Sequence, residues 1–296
     1  MFLSSANSSA VDFDQNSPER ISLGKRFTPA ARPFIKWAGG KRRLLEQYSP
    51  FLPTPSQFNH YFEPFLGGGA VFFHLRPNKA VLADLNADLI NCYRIVRDYP
   101  EQLIEVLSKH KTSEQYFYRV RELVPDNLTP IERASRFIYL NKTCYNGLYR
   151  VNKQGQFNVP YGRYKKPLIC DAEVIRAASE SLKNIQLSVS SFEKTIEQAH
   201  PRDFIYLDPP YVPLSPTASF TSYTSVNFTE QDQARLAQIV RLLDARGCLI
   251  MLSNSDTKLV RTLYQGFNII TVHCPRSINS NPFARGTVTE LLIKNF

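Results

Sequence analysis

The stretch that decides the fold is residues 58–84, FNHYFEPFLGGGAVFFHLRPNKAVLAD. It opens on a short aromatic run, Phe58 to Phe62, and turns through Glu63-Pro64-Phe65-Leu66-Gly67-Gly68-Gly69. It then enters the apolar Ala70 to Leu75 and reaches a β-rich run, Lys79 to Ala83, that ends in Asp84. Strand, glycine turn, helix, strand is the signature of parallel pairing through a crossover. The alternation continues outward. Ile185 to Val189, Asp203 to Leu207, Gly247 to Leu252, Phe267 to Val272 and Thr287 to Ile293 are short apolar runs of the kind buried in a sheet. Between two of them, Glu230 to Ala245 carries Leu236, Ile239, Val240 and Leu243 at helical spacing, behind a capping pair of Thr229 and Asp232. The pattern predicts an α/β chain with a mostly parallel sheet.

The middle of the chain differs. Glu101 to Val124 and Pro130 to Asn141 read as helices, and Leu148 to Pro160, with Lys153-Gln154-Gly155-Gln156 at its centre, reads as a β-hairpin turning at Gly155. Residues 1–31, rich in Ser, Asn and Ala, read as a disordered extension. The expected division is therefore an extension (1–31), a catalytic body (32–87 with 171–296) and an insert (88–170).

Composition narrows the function. The 296 residues hold 36 Lys+Arg against 26 Asp+Glu, a net +10, with 43% hydrophobic residues, ample for a core. Five scattered cysteines (Cys92, Cys144, Cys170, Cys248, Cys274) form no C-x-x-C, and the five histidines no H-E-x-x-H, which argues against a disulfide framework and a metal site. The longest apolar run, Cys248 to Leu252, is too short for a membrane span, and the N-terminus lacks the cationic start and apolar stretch of a secretory signal, so a cytoplasmic location is expected. The charge is concentrated. Residues 133–170 hold eight cations (Arg133, Arg136, Lys142, Arg150, Lys153, Arg163, Lys165, Lys166) and no acid, and residues 32–45 hold five more (Arg32, Lys36, Lys41, Arg42, Arg43), leaving 23 cations against 26 acids elsewhere. Seven aromatics (Phe137, Tyr139, Tyr145, Tyr149, Phe157, Tyr161, Tyr164) interleave the first patch. Cations that track phosphates, with aromatic faces for bases, suit nucleic acid; a membrane surface or an acidic partner satisfies charge alone.

The glycine turn lets backbone approach a ligand closely, but it lacks the third glycine of a dinucleotide fingerprint and the Gly-Lys-Ser/Thr of a P-loop. Asp84, at the end of the next strand, is placed to accept from ribose hydroxyls. Loop and acid together suggest a nucleoside without a pyrophosphate, for which S-adenosyl-L-methionine is a common candidate. Asp208-Pro209-Pro210-Tyr211 follows the strand 204–207 directly. Two prolines fix φ and remove donors, so a carboxylate and free carbonyls stand beside an aromatic ring. If Asp208 and the Pro209 carbonyl each accept one N–H of an exocyclic amine, its lone pair is aimed at an electrophile while Tyr211 stacks on the base. Methylation of cytosine carbon needs a thiolate, usually from a Pro-Cys pair, and no cysteine here follows a proline. Amino methylation is favoured.

With these residues in hand, the chain resembles the DNA adenine methylase (Dam) family of N6-adenine methyltransferases of the D12 class, from about Pro33 to the C-terminus. Phe34-Ile35-Lys36-Trp37-Ala38-Gly39-Gly40-Lys41 is similar to the family's N-terminal cofactor motif. Glu63-Pro64-Phe65 with its glycines is similar to the main cofactor loop, and DPPYVPLSPTASFTSY (208–223) to the catalytic motif. Tyr145 to Arg150 and Asn158 to Lys166 resemble the recognition hairpin of members that read GATC. The resemblance implies a Rossmann-like S-adenosylmethionine-dependent fold with an inserted, mainly helical target-recognition domain carrying the hairpin, acting on adenine flipped from double-stranded DNA. It implies cofactor contacts from Trp37, Lys41, Glu63, Phe65, Gly67, Gly69, Asp84 and Asp208, and catalysis by Asp208, Pro209, Pro210 and Tyr211. DNA contacts fall to Lys36, Tyr145, Asn146, Leu148, Arg150, Pro160, Arg163, Lys165 and Lys166; no membrane and no obligate protein partner is implied. The chain departs from the pattern in the loop after Arg276-Ser277-Ile278, where Arg285 is the only cation, and at Ser190-Ser191-Phe192, which lacks an acid. Two rivals stay open: methylation of cytosine N4 or of RNA, and a catalytically silent DNA-binding module.

Overall fold

Seven strands form one sheet in the computed structural model, which describes residues 30–213, 228–275 and 287–296. The N-terminal extension (but for its last residues), the run beyond Pro213 to Asn227 and the loop with Arg285 lie outside the described residues. The strands are β1 (Tyr61–Glu63), β2 (Ala80–Asp84), β3 (Gln186–Val189), β4 (Phe204–Leu207), β5 (Leu249–Ser255), β6 (Asn268–Pro275) and β7 (Thr287–Lys294). Their order is β3-β2-β1-β4-β5-β7-β6, parallel through the first five, with β7 antiparallel to both β5 and β6. The chain leaves β1 toward β2 and β3 and returns on the other side as β4 and β5. The carboxyl ends of β1 and β4 thus flank a topological switch point, where open α/β sheets bind ligands. This is the Rossmann-like methyltransferase arrangement expected from the sequence.

Period-two alternation divides the central strands between two cores. Tyr61, Leu82, Phe204, Tyr206 and Met251 face one apolar cluster, while Phe62, Val81, Ile205, Leu207, Ile250 and Leu252 face the other. The helices are α1 (Leu45–Tyr48), α2 (Ala70–Leu75), α3 (Ala87–Asp98), α4 (Pro100–Ser108), α5 (Glu114–Glu122), α6 (Pro130–Thr143), α7 (Ala172–Leu182), α8 (Phe192–Ile196), α9 (Glu230–Ala245) and α10 (Lys258–Leu263). The first cluster runs on from the sheet into α3, α4, α6 and α7; the second is covered by α8, α9 and α10. The expected capping pair starts α9, where Thr229 and Asp232 exchange side-chain and backbone hydrogen bonds and Leu236, Val240 and Leu243 turn inward. Among the described residues, no helix is long and apolar enough to cross a membrane.

The single helix expected over 101–124 is two. The chain breaks after Ser108 because His110 turns inward, its ring nitrogens bonding Tyr116 Oη at 3.0 Å and Ser135 Oγ at 2.9 Å while it stacks on Tyr139. Ser113 then starts α5, accepting from the Tyr116 N–H. The hairpin is present without a ladder. An isolated bridge pairs Val151 with Phe157, and the Asn152 carboxamide oxygen accepts from the N–H groups of Gln154 and Gln156 around Gly155, whose φ is +76°.

Candidate active site

The turn after β1 places the glycines at the sheet's switch point. Gly67 (φ +46°) and Gly69 (φ +64°) are both left-handed, a conformation that penalises a β-carbon. Asp84, at the end of β2, accepts from the Gly67 N–H at 3.0 Å and the Asn86 N–H at 2.9 Å, which ties the turn to the neighbouring strand. Burial raises the Asp84 carboxyl, and these backbone donors oppose the rise. Glu63 ends β1 almost fully buried, accepting from Tyr61 Oη at 2.8 Å, and burial pushes its carboxyl up to about 8. It therefore carries its proton at neutral pH. Across the turn, the Trp37 indole lies parallel to Tyr149 at 5.7 Å and to Phe137 at 6.3 Å.

At the end of β4, the Asp208–Val212 turn is held from several sides. Lys41 is only 3% exposed, and its ammonium donates to the Asp208 carboxylate at 2.7 Å and to the Gly39 carbonyl at 2.5 Å. Ser253 Oγ donates to the other side of the carboxylate at 2.8 Å. Burial raises the Asp208 carboxyl, while Lys41 and Ser253 pull it down. Tyr211 Oη donates to Glu290 at 2.8 Å, and the Lys41 ammonium stands 4.8 Å from its ring centre.

These elements converge on one cavity of about 580 Å³. Trp37, Lys41, Glu63, Phe65, Gly67, Gly69, Asp84 and Asp208 to Tyr211, all singled out in the sequence, line it together. Sequence reasoning missed Phe192 and Phe228, which also line it. Phe65 stacks on Phe192 at 5.4 Å and meets Phe228 edge-on at 5.9 Å, forming an aromatic wall. The only available signal was negative, the absence of an acid before Phe192.

None of the residues singled out for DNA lines this cavity. The carboxamide of Asn141, buried in α6, accepts from the Lys36 N–H at 2.9 Å and donates to the carbonyls of Lys36 (2.8 Å) and Gly147 (3.1 Å). This fixes the strip beside Tyr145-Asn146-Gly147. Asn146 (φ +56°) and Gly147 (φ +65°) are left-handed, and a β-carbon on Gly147 would overlap the Lys36 side chain. The Tyr145 N–H donates to the Pro160 carbonyl at 2.9 Å, Lys36 Nζ stands 4.7 Å from the Tyr164 ring centre, and Leu148 is half-buried. Arg150 bonds Asn158 Oδ1 at 2.7 Å, while Arg163, Lys165 and Lys166 are exposed. Sequence reasoning missed Asn141; its one signal is a polar residue on the apolar stripe Ala134, Phe137, Ile138, Asn141.

The charge reading needs correction. Lys41 is an internal counter-ion, Arg136 is buried against the carbonyls of Val120 and Arg121, and Arg133 pairs with Asp88 and Asp126. Burial, with Lys36 nearby, lowers Lys142 to about 8. Of the interleaved aromatics, Phe137, Tyr139 and Phe157 are core, Tyr149, Tyr161 and Tyr164 are half-buried and only Tyr145 is exposed, because helix and hairpin alike need apolar partners before they can present charge.

The sequence model described as D12 class N6 adenine-specific DNA methyltransferase matches residues 37–278. The type II methyltransferase M1.LlaDCHI of Lactococcus lactis subsp. cremoris is 46% identical over 273 residues, covering 90% of this chain and 95% of its own. The type II methyltransferase M.MjaIII of Methanocaldococcus jannaschii is 43% identical over 286 residues, 90% of this chain and 99% of its own. The DNA adenine methylase of Escherichia coli K12 is 40% identical over 265 residues, 88% of this chain and 94% of its own.

Proposed function

Since the chain belongs to the D12 class of N6 adenine-specific DNA methyltransferases, we propose that it transfers the methyl group of S-adenosyl-L-methionine to N6 of an adenine flipped out of duplex DNA at GATC. The observation that carries this reading is the single cavity in which the glycine turn, Asp84 and the Asp208–Tyr211 turn meet. Its donor set fits a nucleoside sulfonium: ring walls from Trp37 and Phe65, an Asp84 carboxylate with lone pairs to spare for ribose hydroxyls, and a turn without β-carbons at Gly67 and Gly69. Bound there, S-adenosylmethionine supplies a methyl on positively charged sulfur, whose S–C bond breaks as the N6 lone pair forms the new N–C bond. Asp208 and the Pro209 carbonyl each accept one N–H of the amine, which turns its lone pair toward the methyl; Tyr211 stacks on the ring. The surplus proton leaves N6 along the hydrogen bond to Asp208. Flipping is required because an amine paired inside the duplex is out of reach of the donor.

The same reading gives residues 88–170 to target recognition and residues 32–87 with 171–296 to catalysis. Lys36, Leu148, Arg150 and Pro160 read bases, Tyr145 and Asn146 fill the stack left by the adenine, and Arg163, Lys165 and Lys166 hold phosphates. The test is incorporation of labelled methyl into duplexes carrying GATC or a scrambled site, scored as the modified nucleoside. N6-methyladenine confined to the GATC duplex is expected, and Asp208→Ala abolishes it. Equal labelling of both duplexes refutes the site, N4-methylcytosine refutes the base, and turnover by Asp208→Ala removes that residue from catalysis.

A further inference from the structure

Four buried polar residues surround the Asp208–Val212 turn, and none of them belongs to a motif used above. Gln233, on the inner face of α9, is 1% exposed; Ser253, Asn254 and Ser255, at the carboxyl end of β5, are 0%, 0% and 4% exposed. Gln233 Nε2 donates to the Pro210 carbonyl at 2.8 Å, and its Oε1 accepts from Asn254 Nδ2 at 3.0 Å. Asn254 Oδ1 accepts from the Val212 N–H at 3.2 Å, and Ser255 Oγ donates to the Val212 carbonyl at 2.7 Å. Ser253 Oγ donates to Asp208 at 2.8 Å and lies 3.2 Å from Tyr206 Oη.

Polar side chains at such depth stabilise a protein only when their partners are in place, and apolar residues would pack a helix–strand contact as well. Apart from the Tyr206 link and the bonds that Gln233, Asn254 and Ser255 make among themselves, every side-chain bond here goes to the one turn. The pattern of use is selective. The Pro210 carbonyl and both Val212 backbone groups are occupied, and Lys41 and Ser253 each take up part of the Asp208 carboxylate, whereas among the described residues nothing donates to the Pro209 carbonyl. A turn with two adjacent proline carbonyls has two candidate acceptors for an amine, and the bond from Gln233 withdraws one of them.

We propose that Gln233 and Ser253-Asn254-Ser255 are positioning residues, a buried clamp that fixes the Asp208–Val212 turn so that the Pro209 carbonyl and the remaining Asp208 lone pairs are the acceptors presented to the target amine. The proposal rests on the reading that this turn holds an exocyclic amine. It assigns these residues no contact with donor or DNA, so their loss acts on turnover and leaves binding in place.

The test uses the full-length protein with saturating donor and GATC duplex. Gln233→Met removes the bond to Pro210 at similar volume; Ser253→Ala removes one hydroxyl and leaves the helix–turn contact whole. A misplacement of about 1 Å costs on the order of a hundredfold in rate, so kcat is expected to fall roughly tenfold to a hundredfold in each variant, with both KM values and the donor Kd near those of the unmodified protein. Gln233→Glu separates positioning from simple packing. Its carboxyl donates to Pro210 only while protonated, so kcat recovers at acidic pH and falls at alkaline pH, whereas Gln233→Met stays low throughout. Unchanged kcat in folded Gln233→Met or in Ser253→Ala overturns the clamp, as does a loss confined to KM or donor affinity. If Gln233→Met fails to fold, Ser253→Ala and the pH response of Gln233→Glu decide. Failure of the underlying reading looks different: the unmodified protein then makes no N6-methyladenine at all.

Discussion

Adding one methyl group at Gly67 tests how the glycine turn and the Trp37 wall depend on each other. Gly67 has φ +46°, and a β-carbon built on it would lie 2.6 Å from Trp37 Cδ1 and 2.8 Å from Nε1. Two costs follow. A non-glycine residue held left-handed costs about 1–2 kcal/mol. Pushing the indole aside gives up its stacking on Tyr149 and Phe137, about 0.5–1.5 kcal/mol for an aromatic pair. Gly67→Ala should therefore lose about 1.5–3.5 kcal/mol of the native pocket geometry. At about 1.4 kcal/mol per tenfold, donor affinity weakens by roughly 10- to 300-fold. Gly155→Ala is the matched control: its φ is +76°, yet nothing stands within 4 Å of the added carbon. It carries the backbone cost alone, far from the cavity. Calorimetric titration of S-adenosylmethionine, with thermal midpoints measured on the same samples, compares the two. A Gly67→Ala protein that binds the donor as tightly as Gly155→Ala refutes the contact argument. A Gly155→Ala protein that loses affinity refutes the separation of the two effects.

Glu63 and His110 give stability opposite responses to pH. Burial raises the Glu63 carboxyl from about 4.5 to about 8 in the folded chain, so the unfolded chain releases its proton first and stability should fall as pH rises across that window; urea titrations should show the slope flattened in Glu63→Gln. His110 is pushed down from 6.5 to about 4 by burial, so its contribution is present above about 6.5 and lost as pH falls toward 4, and a slope unchanged in His110→Gln would remove that assignment. On the DNA side, Lys165→Ala or Lys166→Ala should weaken binding to every duplex alike and lower the salt slope by about one per residue. Arg150→Ala should instead relax discrimination between GATC and scrambled sites by about 1–3 kcal/mol; equal weakening on both duplexes would assign Arg150 to phosphates.

The sheet was legible in the sequence because buried parallel strands must be short apolar runs, and 58–84 adds a glycine turn and a terminal acid that few other folds require. The lining of the cavity was legible for the same reason: loops at a switch point lie beside each other whatever their separation in the chain. What escaped was of two kinds. The break at His110 came from tertiary contacts to Ser135 and Tyr139, which override a continuous helical pattern. The support for the catalytic turn escaped because a polar residue on a core face looks like a lapse in periodicity until its partner is known. Asn141 and Gln233 interrupt apolar patterns and Asn254 sits in the polar end of β5, and each holds the backbone of a segment to which a role is proposed above. Counting charge misled for a related reason, since position in sequence does not distinguish a cation facing solvent from one neutralising a carboxylate inside.

Residues 34–41 show why the two halves of the molecule cannot be treated separately. This strip is irregular up to Lys41, which opens a short 3-10 helix, yet within eight residues it touches both the proposed recognition segment and the cavity. The Lys36 backbone is clamped by Asn141 on α6 and its side chain packs over Gly147, so it belongs with the proposed recognition segment. Trp37 is wedged between the glycine turn and the Tyr149 and Phe137 rings, and Lys41 supplies the buried charge that balances Asp208. Irregular backbone suits this task because a helix would turn successive side chains away by about 100° each and a strand would alternate them between two faces. Only a bent strip can send Lys36 to one surface, Trp37 to a cavity wall and Lys41 into the interior. Lys36, bonded through Asn141 to Gly147, and Trp37, stacked on Tyr149 and Phe137 and lining the cavity, thus join the proposed recognition segment to the proposed donor cavity by direct contacts.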